Sequence, residues 1–272
     1  MAQRTHRTVV ALLVIVLAVA GLAVGARALW RAATSAVRAD GCDFGDYTLD
    51  LSQARIASTV VGVVLRRKLP ERAAVLTLGA ALQESKLRNL PAGSGDRDSV
   101  GILQQRPSQG WGTAAQIANV QYATGKFLDA VVRVPNWQSD SLATVIQAVQ
   151  FSADGTAYAR HEPEAQQIAD ALTGVRPEGV SCSFDKPTAV ASSQAVAQAV
   201  VTDLPVSQPQ AAGQVVTVPG AGWATAAWFV CNADRLGIDT VRYAGSSWSR
   251  AKSWRADASA SNAAVTATLA RG

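Results

Sequence analysis

Three carboxylates lie within fifteen residues of one another in this chain: Glu84, Asp96 and Asp98. A carboxylic acid that stays protonated near neutral pH can donate its proton to a leaving oxygen, and an ionised one can activate a water. Together they suit acid catalysis on a glycosidic bond, where an acid and a second carboxylate flank the bond that breaks. Glu84 ends a segment that is otherwise almost wholly apolar, while Asp96 and Asp98 fall in a stretch punctuated by Gly93, Gly95 and Gly101. Aspartate beside glycine is also a common turn former, so the two aspartates carry an ordinary structural reading too.

The element that must present Glu84 is a helix running from about Pro70 to Lys86. From Ala73 to Leu82 it is apolar on every face, the pattern of a helix buried on all sides. At 100° per residue Glu84 continues the stripe of Ala73, Thr77 and Ala80. Apolar neighbours and the negative end of the helix dipole both raise a carboxyl pKa there. Lys86 and Arg88 oppose this if they turn toward it. An exposed Glu in a last helical turn is the plainer alternative. Further helices are expected over 51–68, 116–132, 142–151 and 163–172, with turns or a small hairpin over 93–105. The fold class read from this is mainly α with a minor β element.

Net charge is +5, but Arg4, Arg7, Arg27, Arg31 and Arg38 all lie near the N-terminus and the rest is nearly balanced. No basic run with interleaved aromatics occurs, so a nucleic-acid partner is not expected. Val9 to Ala26 is an uncharged run of eighteen residues, spanning about 27 Å as a helix. It reads as a transmembrane anchor, uncleaved in preference to a removed signal peptide. Of three cysteines, Cys42 and Cys182 bracket the central segment. A bridge between them would place the bulk of the chain outside the cytoplasm, and two buried thiols are the alternative. No Cys-x-x-Cys pair occurs, and His6 and His161 lie far from every cysteine, so neither a metal nor a cofactor is expected.

The buried helix ending in Glu84-Ser85, followed by Ser99-Val100-Gly101-Ile102-Leu103-Gln104, resembles the lysozyme-like superfamily, in its soluble lytic transglycosylase and goose-type lysozyme branch. The stretch through Arg106-Pro107-Ser108-Gln109-Gly110-Trp111-Gly112 resembles actinobacterial membrane-anchored wall proteins. The likeness covers about Cys42 to Cys182. It implies that Glu84 is the general acid and base and that Ser99 and Gln104 shape a sugar groove. Ser85, Gln105 and Gln150 join them as substrate-binding candidates, and Trp111, Trp137 and Tyr158 are candidates for stacking on sugar rings. The family's Ala-Tyr-Asn segment is only approximated by Ala148-Val149-Gln150-Phe151-Ser152, with Tyr158 downstream.

These readings give a membrane anchor and basic spacer (1–40), a lysozyme-like domain (41–185) and a low-complexity linker (186–219). A small α+β tryptophan-bearing domain (220–257), a module for wall polymer or a protein partner, and a disordered tail (258–272) follow. The expected function is cleavage of peptidoglycan glycan strands at the cell membrane, lytic or hydrolytic. A catalytically inactive module that binds wall glycan is the alternative.

Overall fold

The computed structural model describes residues 40–150 and 155–271. The apolar run Val9–Ala26 and the pair Phe151–Ser152 lie outside them. Among the described residues no helix is long and apolar enough to cross a membrane.

The chain opens with a hairpin, β1 (Gly41–Phe44) and β2 (Tyr47–Leu49), and β3 (Ser181–Ser183) joins β1 on its free side. Both pairings are antiparallel, and the register sets Cys42 opposite Cys182. The two form a disulfide. Between β1 and β3 lie the helices α1 (Leu51–Arg66), α2 (Glu71–Ser85), α3 (Ala114–Ile117), α4 (Val120–Val131), α5 (Leu142–Gln150) and α6 (Glu162–Thr173). Asp50 starts α1 with a reciprocal cap: its carboxylate accepts the Gln53 N–H, and the Gln53 side chain accepts the Asp50 N–H. α2 is buried from Ala73 through Leu82, so its all-round apolar sequence matches a central position among the other helices. The stretch expected as one helix over 116–132 is two. Asn119 caps α4 by accepting the Tyr122 N–H and so breaks the run.

The second half overturns the mainly α reading. It comprises α7 (Ser193–Asp203), β4 (Gln210–Ala212), β5 (Val215–Pro219), α8 (Trp223–Cys231), α9 (Ala233–Leu236), β6 (Ile238–Tyr243), β7 (Ser246–Ser249), β8 (Lys252–Ala256) and β9 (Ala264–Leu269). Six strands form one antiparallel sheet in the order β4-β5-β9-β6-β7-β8. Val216, Ala267, Val241 and Trp248 stand in successive register on its buried face. The fold is therefore α+β, with antiparallel sheets of three and six strands, and not a helical domain with appendages.

The expected linker and tail are structural elements. Residues 186–219 hold α7, capped by Ser192 and burying Val196, Ala197 and Val200, together with β4 and β5. Residues 258–272 hold β9, an interior strand of the sheet. Low charge and many small residues misled the reading, because a segment covered on one face and short of charge on the other has linker composition. Asp40–Gly272 forms one compact unit. Asn232 Nδ2 donates to Ser58 Oγ of α1, and Arg66 donates to the carbonyls of Val201, Thr202 and Leu204 at the end of α7. α1 passes so close to α7 that a Cβ at Gly62 would lie 2.6 Å from the Asp203 carbonyl oxygen. Only glycine fits there.

Candidate active site

Helix α2 ends in an unusual turn. Lys86 and Leu87 both take the left-handed conformation, with φ of 54° and 55°. For residues with a Cβ this costs about 1–2 kcal/mol each. The turn is held by packing and hydrogen bonds: Leu87 is fully buried, its N–H donates to the Ala81 carbonyl, and Gln53 Nε2 donates to the Lys86 carbonyl at 2.7 Å. Strain held in place by its surroundings is common beside functional side chains.

The neighbouring turn is tied to this helix end. Ser85 is buried and its hydroxyl donates to the Ile102 carbonyl at 2.7 Å. Gly101 has φ of 78°, and a Cβ there would lie 2.8 Å from the Ile117 carbonyl oxygen, so the position admits no side chain on two counts. Gln104 folds back to donate to the Gly101 carbonyl. Gln105 is buried, with its amide donating to the Ala123 carbonyl, and Ser99 is buried as well. Gln150 donates to the Leu103 carbonyl at 3.1 Å. Ser85, Gln105 and Gln150, proposed from the sequence as substrate contacts, are thus braces for the turn. Gln104 stays half-exposed beside Gly95. Trp111 and Trp137 pack partly against the core.

Glu84 emerges half-buried from this braced corner. Burial pushes its carboxyl pKa up, and the Tyr158 hydroxyl, which donates to Oε1 at 2.5 Å, pulls it down by less. The net direction favours the protonated acid. Tyr158 is 1% exposed, so it offers no face to a sugar ring. Its role is to orient Glu84. Next to it, Gln83 Oε1 accepts from Arg160 Nη2 at 2.9 Å and lies 3.0 Å from His161 Nε2. Burial, then the Arg160 charge, lower the His161 pKa. The sequence reading missed Arg160 and His161 because they sit more than seventy residues from Gln83 with no motif to link them.

The two aspartates differ. Asp98 accepts from Arg106 Nε at 2.9 Å, from the Ser108 N–H at 2.8 Å and from the Ser108 hydroxyl at 2.9 Å. These bonds hold its carboxyl well below the usual carboxylate range. Such a group is a weak base and a good anchor for the 106–108 turn. Asp96 is exposed, 3.8 Å from Arg97. The structure brings neither into hydrogen bonding with Glu84.

Two predictions follow from this geometry. Tyr158→Phe should slow any Glu84-dependent reaction by about three- to tenfold, the worth of one hydrogen bond. It should also move the basic limb of the pH–rate profile upward, since the bond it removes lowers the Glu84 pKa. An unmoved limb would detach Tyr158 from the acid. Asp98→Ala should lower the melting temperature yet change the rate by less than about tenfold, whereas losing a general base costs about a hundredfold or more. Paired thermal melts and rate measurements separate the two.

Compared with known proteins, the chain matches no protein-family model and no curated protein, so the geometry around Glu84 carries the functional reading.

Proposed function

We propose that this protein cleaves the glycan strand of peptidoglycan between MurNAc and GlcNAc by the lytic route, with Glu84 as its one acid and base. The observation that carries this is the contrast among the three carboxylates: burial raises Glu84, hydrogen bonds depress Asp98, and Asp96 stands in solvent. A hydrolytic, inverting route needs a second carboxylate acting as base at about 6.5–9.5 Å across the bond. Asp98 is too weak a base and too committed to Arg106 and Ser108 for that task.

In the proposed reaction the Glu84 proton passes to the glycosidic oxygen as the bond to C1 of MurNAc breaks, releasing the GlcNAc-side alcohol. The Glu84 carboxylate then takes the proton of the MurNAc C6 hydroxyl, whose oxygen closes on C1. The products are a 1,6-anhydro end and a new hydroxyl, with Glu84 protonated again. No water, metal or cofactor enters. Tyr158 holds the carboxyl in one orientation through both steps. The Ser99–Gln105 turn, fastened by Ser85 and Gln150, supplies a fixed wall beside it. The disulfide supports a site of action outside the cytoplasm, where such bonds persist.

A second reading, an inactive module that binds wall glycan, draws on Gln150, which braces Leu103 where a substrate-positioning amide would stand free. Mass spectrometry of purified peptidoglycan after incubation with the protein decides between them. Anhydro-muropeptides support the lytic route, and reducing ends would return a second carboxylate to the mechanism. Intact strands that still pull down the folded protein would install the binding module.

A further inference from the structure

Glu84 has a different neighbour on each side. Beyond Ser85 lies the Ser99–Gln105 turn, which carries no charged residue. On the other side Gln83 meets Arg160 and His161, from the short 3-10 helix Gly155–His161 that also carries Tyr158. One segment thus holds both side chains at the end of α2: Tyr158 orients the acid, and Arg160 orients the amide beside it.

The way the Gln83 amide faces follows from chemistry. A guanidinium only donates, so the Gln83 atom 2.9 Å from Arg160 Nη2 is the carbonyl oxygen. The amide nitrogen is left with its N–H groups and no acceptor among the described residues. Arg160 is exposed, and its Nη1 also lacks an acceptor among them. The carboxylates that follow on α6 do not bond it: Glu162 bonds Arg72, and Glu164 faces His161 Nδ1 at 3.9 Å. Glu84 therefore has an uncharged wall on one side and, on the other, two open donors, one of them cationic.

The two sugars of the strand differ in the same sense. MurNAc is GlcNAc with a lactyl ether on O3, and the carboxyl of that group is the acidic function that GlcNAc lacks. It is an anion when free and a neutral amide when a peptide is attached. A carboxylate presents two oxygens to two donors, whereas the amide presents one oxygen and no charge. A site built around such bonds discriminates strongly against the partner that cannot make them.

We propose that Arg160 and the Gln83 amide bind the free lactyl carboxylate of MurNAc, so that the site takes strands from which the peptides have been removed. The inference rests on the glycan-cleavage reading for the identity of its substrate. It also sets an order of reactions. Hydrolysis of the lactyl amide, which gives the carboxylate and a peptide amine, must come before strand cleavage.

The test compares three preparations of glycan strands on the full-length protein: strands with peptides, strands freed of peptides by an amidase, and freed strands whose carboxylate is converted to the methylamide. Anhydro-end release should be about tenfold or more faster from the free acid than from the other two. Arg160→Ala should bring the three rates within about twofold of one another, whereas an Arg160 that only braces Gln83 would slow all three alike. Lys86→Ala, which removes the exposed cation two residues beyond Glu84, should keep the preference. Equal rates on acid and methylamide, faster release from peptide-bearing strands, or an Arg160→Ala protein that keeps the preference would overturn the proposal and leave the cleavage reading standing. The acid-to-methylamide comparison on the parent needs no variant to fold. Calorimetric titration of the Glu84→Gln protein reads the same comparison as affinity. If the parent cleaves no strand, tighter binding of the acid that Arg160→Ala abolishes would uphold the carboxylate site while the cleavage reading falls. Equal binding of acid and methylamide would then remove both.

Discussion

Glu84→Gln should lower glycan cleavage by about a thousandfold or more, at the upper end of what one general acid and base contributes. The variant keeps the volume and the polarity of the side chain but cannot give a proton to the glycosidic oxygen or take one from the C6 hydroxyl. No nearby group replaces it, since Asp98 is held ionised by Arg106 and Ser108 and Asp96 is exposed. The same substitution should leave the fold intact and change how stability depends on pH. A carboxyl whose pKa is raised on folding contributes stability that is fully present below its unfolded value of 4.5 and is lost as pH rises through the folded pKa. Glu84→Gln removes that dependence, so the variant should melt above the parent at neutral pH, and the gap should close as pH falls below 4.5. Muropeptide release and thermal melts from pH 4 upward read both effects. A variant that still cleaves at a tenth of the parental rate would remove Glu84 from the chemistry.

Replacing Cys42 and Cys182 together by alanine should cost about 2–5 kcal/mol of unfolding free energy, with the chain-entropy figure for this loop near 5 kcal/mol. The bridge closes a sequence separation of 140 residues and joins β1 to β3, so it ties the beginning of the helical half to its end. A domain is stable by only about 5–15 kcal/mol, so such a loss is a large share of the total. The double substitution leaves no unpaired partner thiol. Cys231 does not interfere, because it is fully buried and burial pushes its thiol pKa far up, leaving almost no thiolate to exchange. Denaturant unfolding of the variant gives the number. A change under about 1 kcal/mol would mean that the packing of β1 against β3 already restrains the chain ends.

Much of the helical half could be read from the chain. The unbroken apolar stretch from Ala73 to Leu82 has one physical meaning, burial on all sides, and α2 has it. The disulfide could be read from where the cysteines fall. The sheet half could not. The segment Ala-Val-Thr-Ala-Thr-Leu of β9 does alternate, with Val265, Ala267 and Leu269 inward and threonines outward, but its small residues give a weak signal beside the Ala- and Ser-rich stretch before it. At the candidate site, Glu84 stood out in the sequence as the proposed acid, and the groups that hold it did not. Ser85, Gln105 and Gln150 are polar residues near a motif, and only tertiary contacts reveal that their hydrogen bonds go to backbone carbonyls. Tyr158 reaches Glu84 across seventy-four residues, a pairing that no local pattern encodes. Asp98 is recognisable as an anchor only once Arg106 and Ser108 close on it.

The place of β9 in the sheet sets an order of events as the chain emerges from the ribosome. β9 pairs with β5 on one side and β6 on the other, and both precede it in sequence. Until 264–269 has been made, β5 and β6 each carry an open edge, the kind of surface that invites pairing with other chains. The helical half, from β1 to β3, has no such dependence in its own sheet. A nascent chain therefore passes through a stage in which the corner around Glu84 can already assemble while the sheet still waits for its interior strand. That interval is when the protein is most exposed to proteases and to its own neighbours, and when a holding chaperone would protect it most.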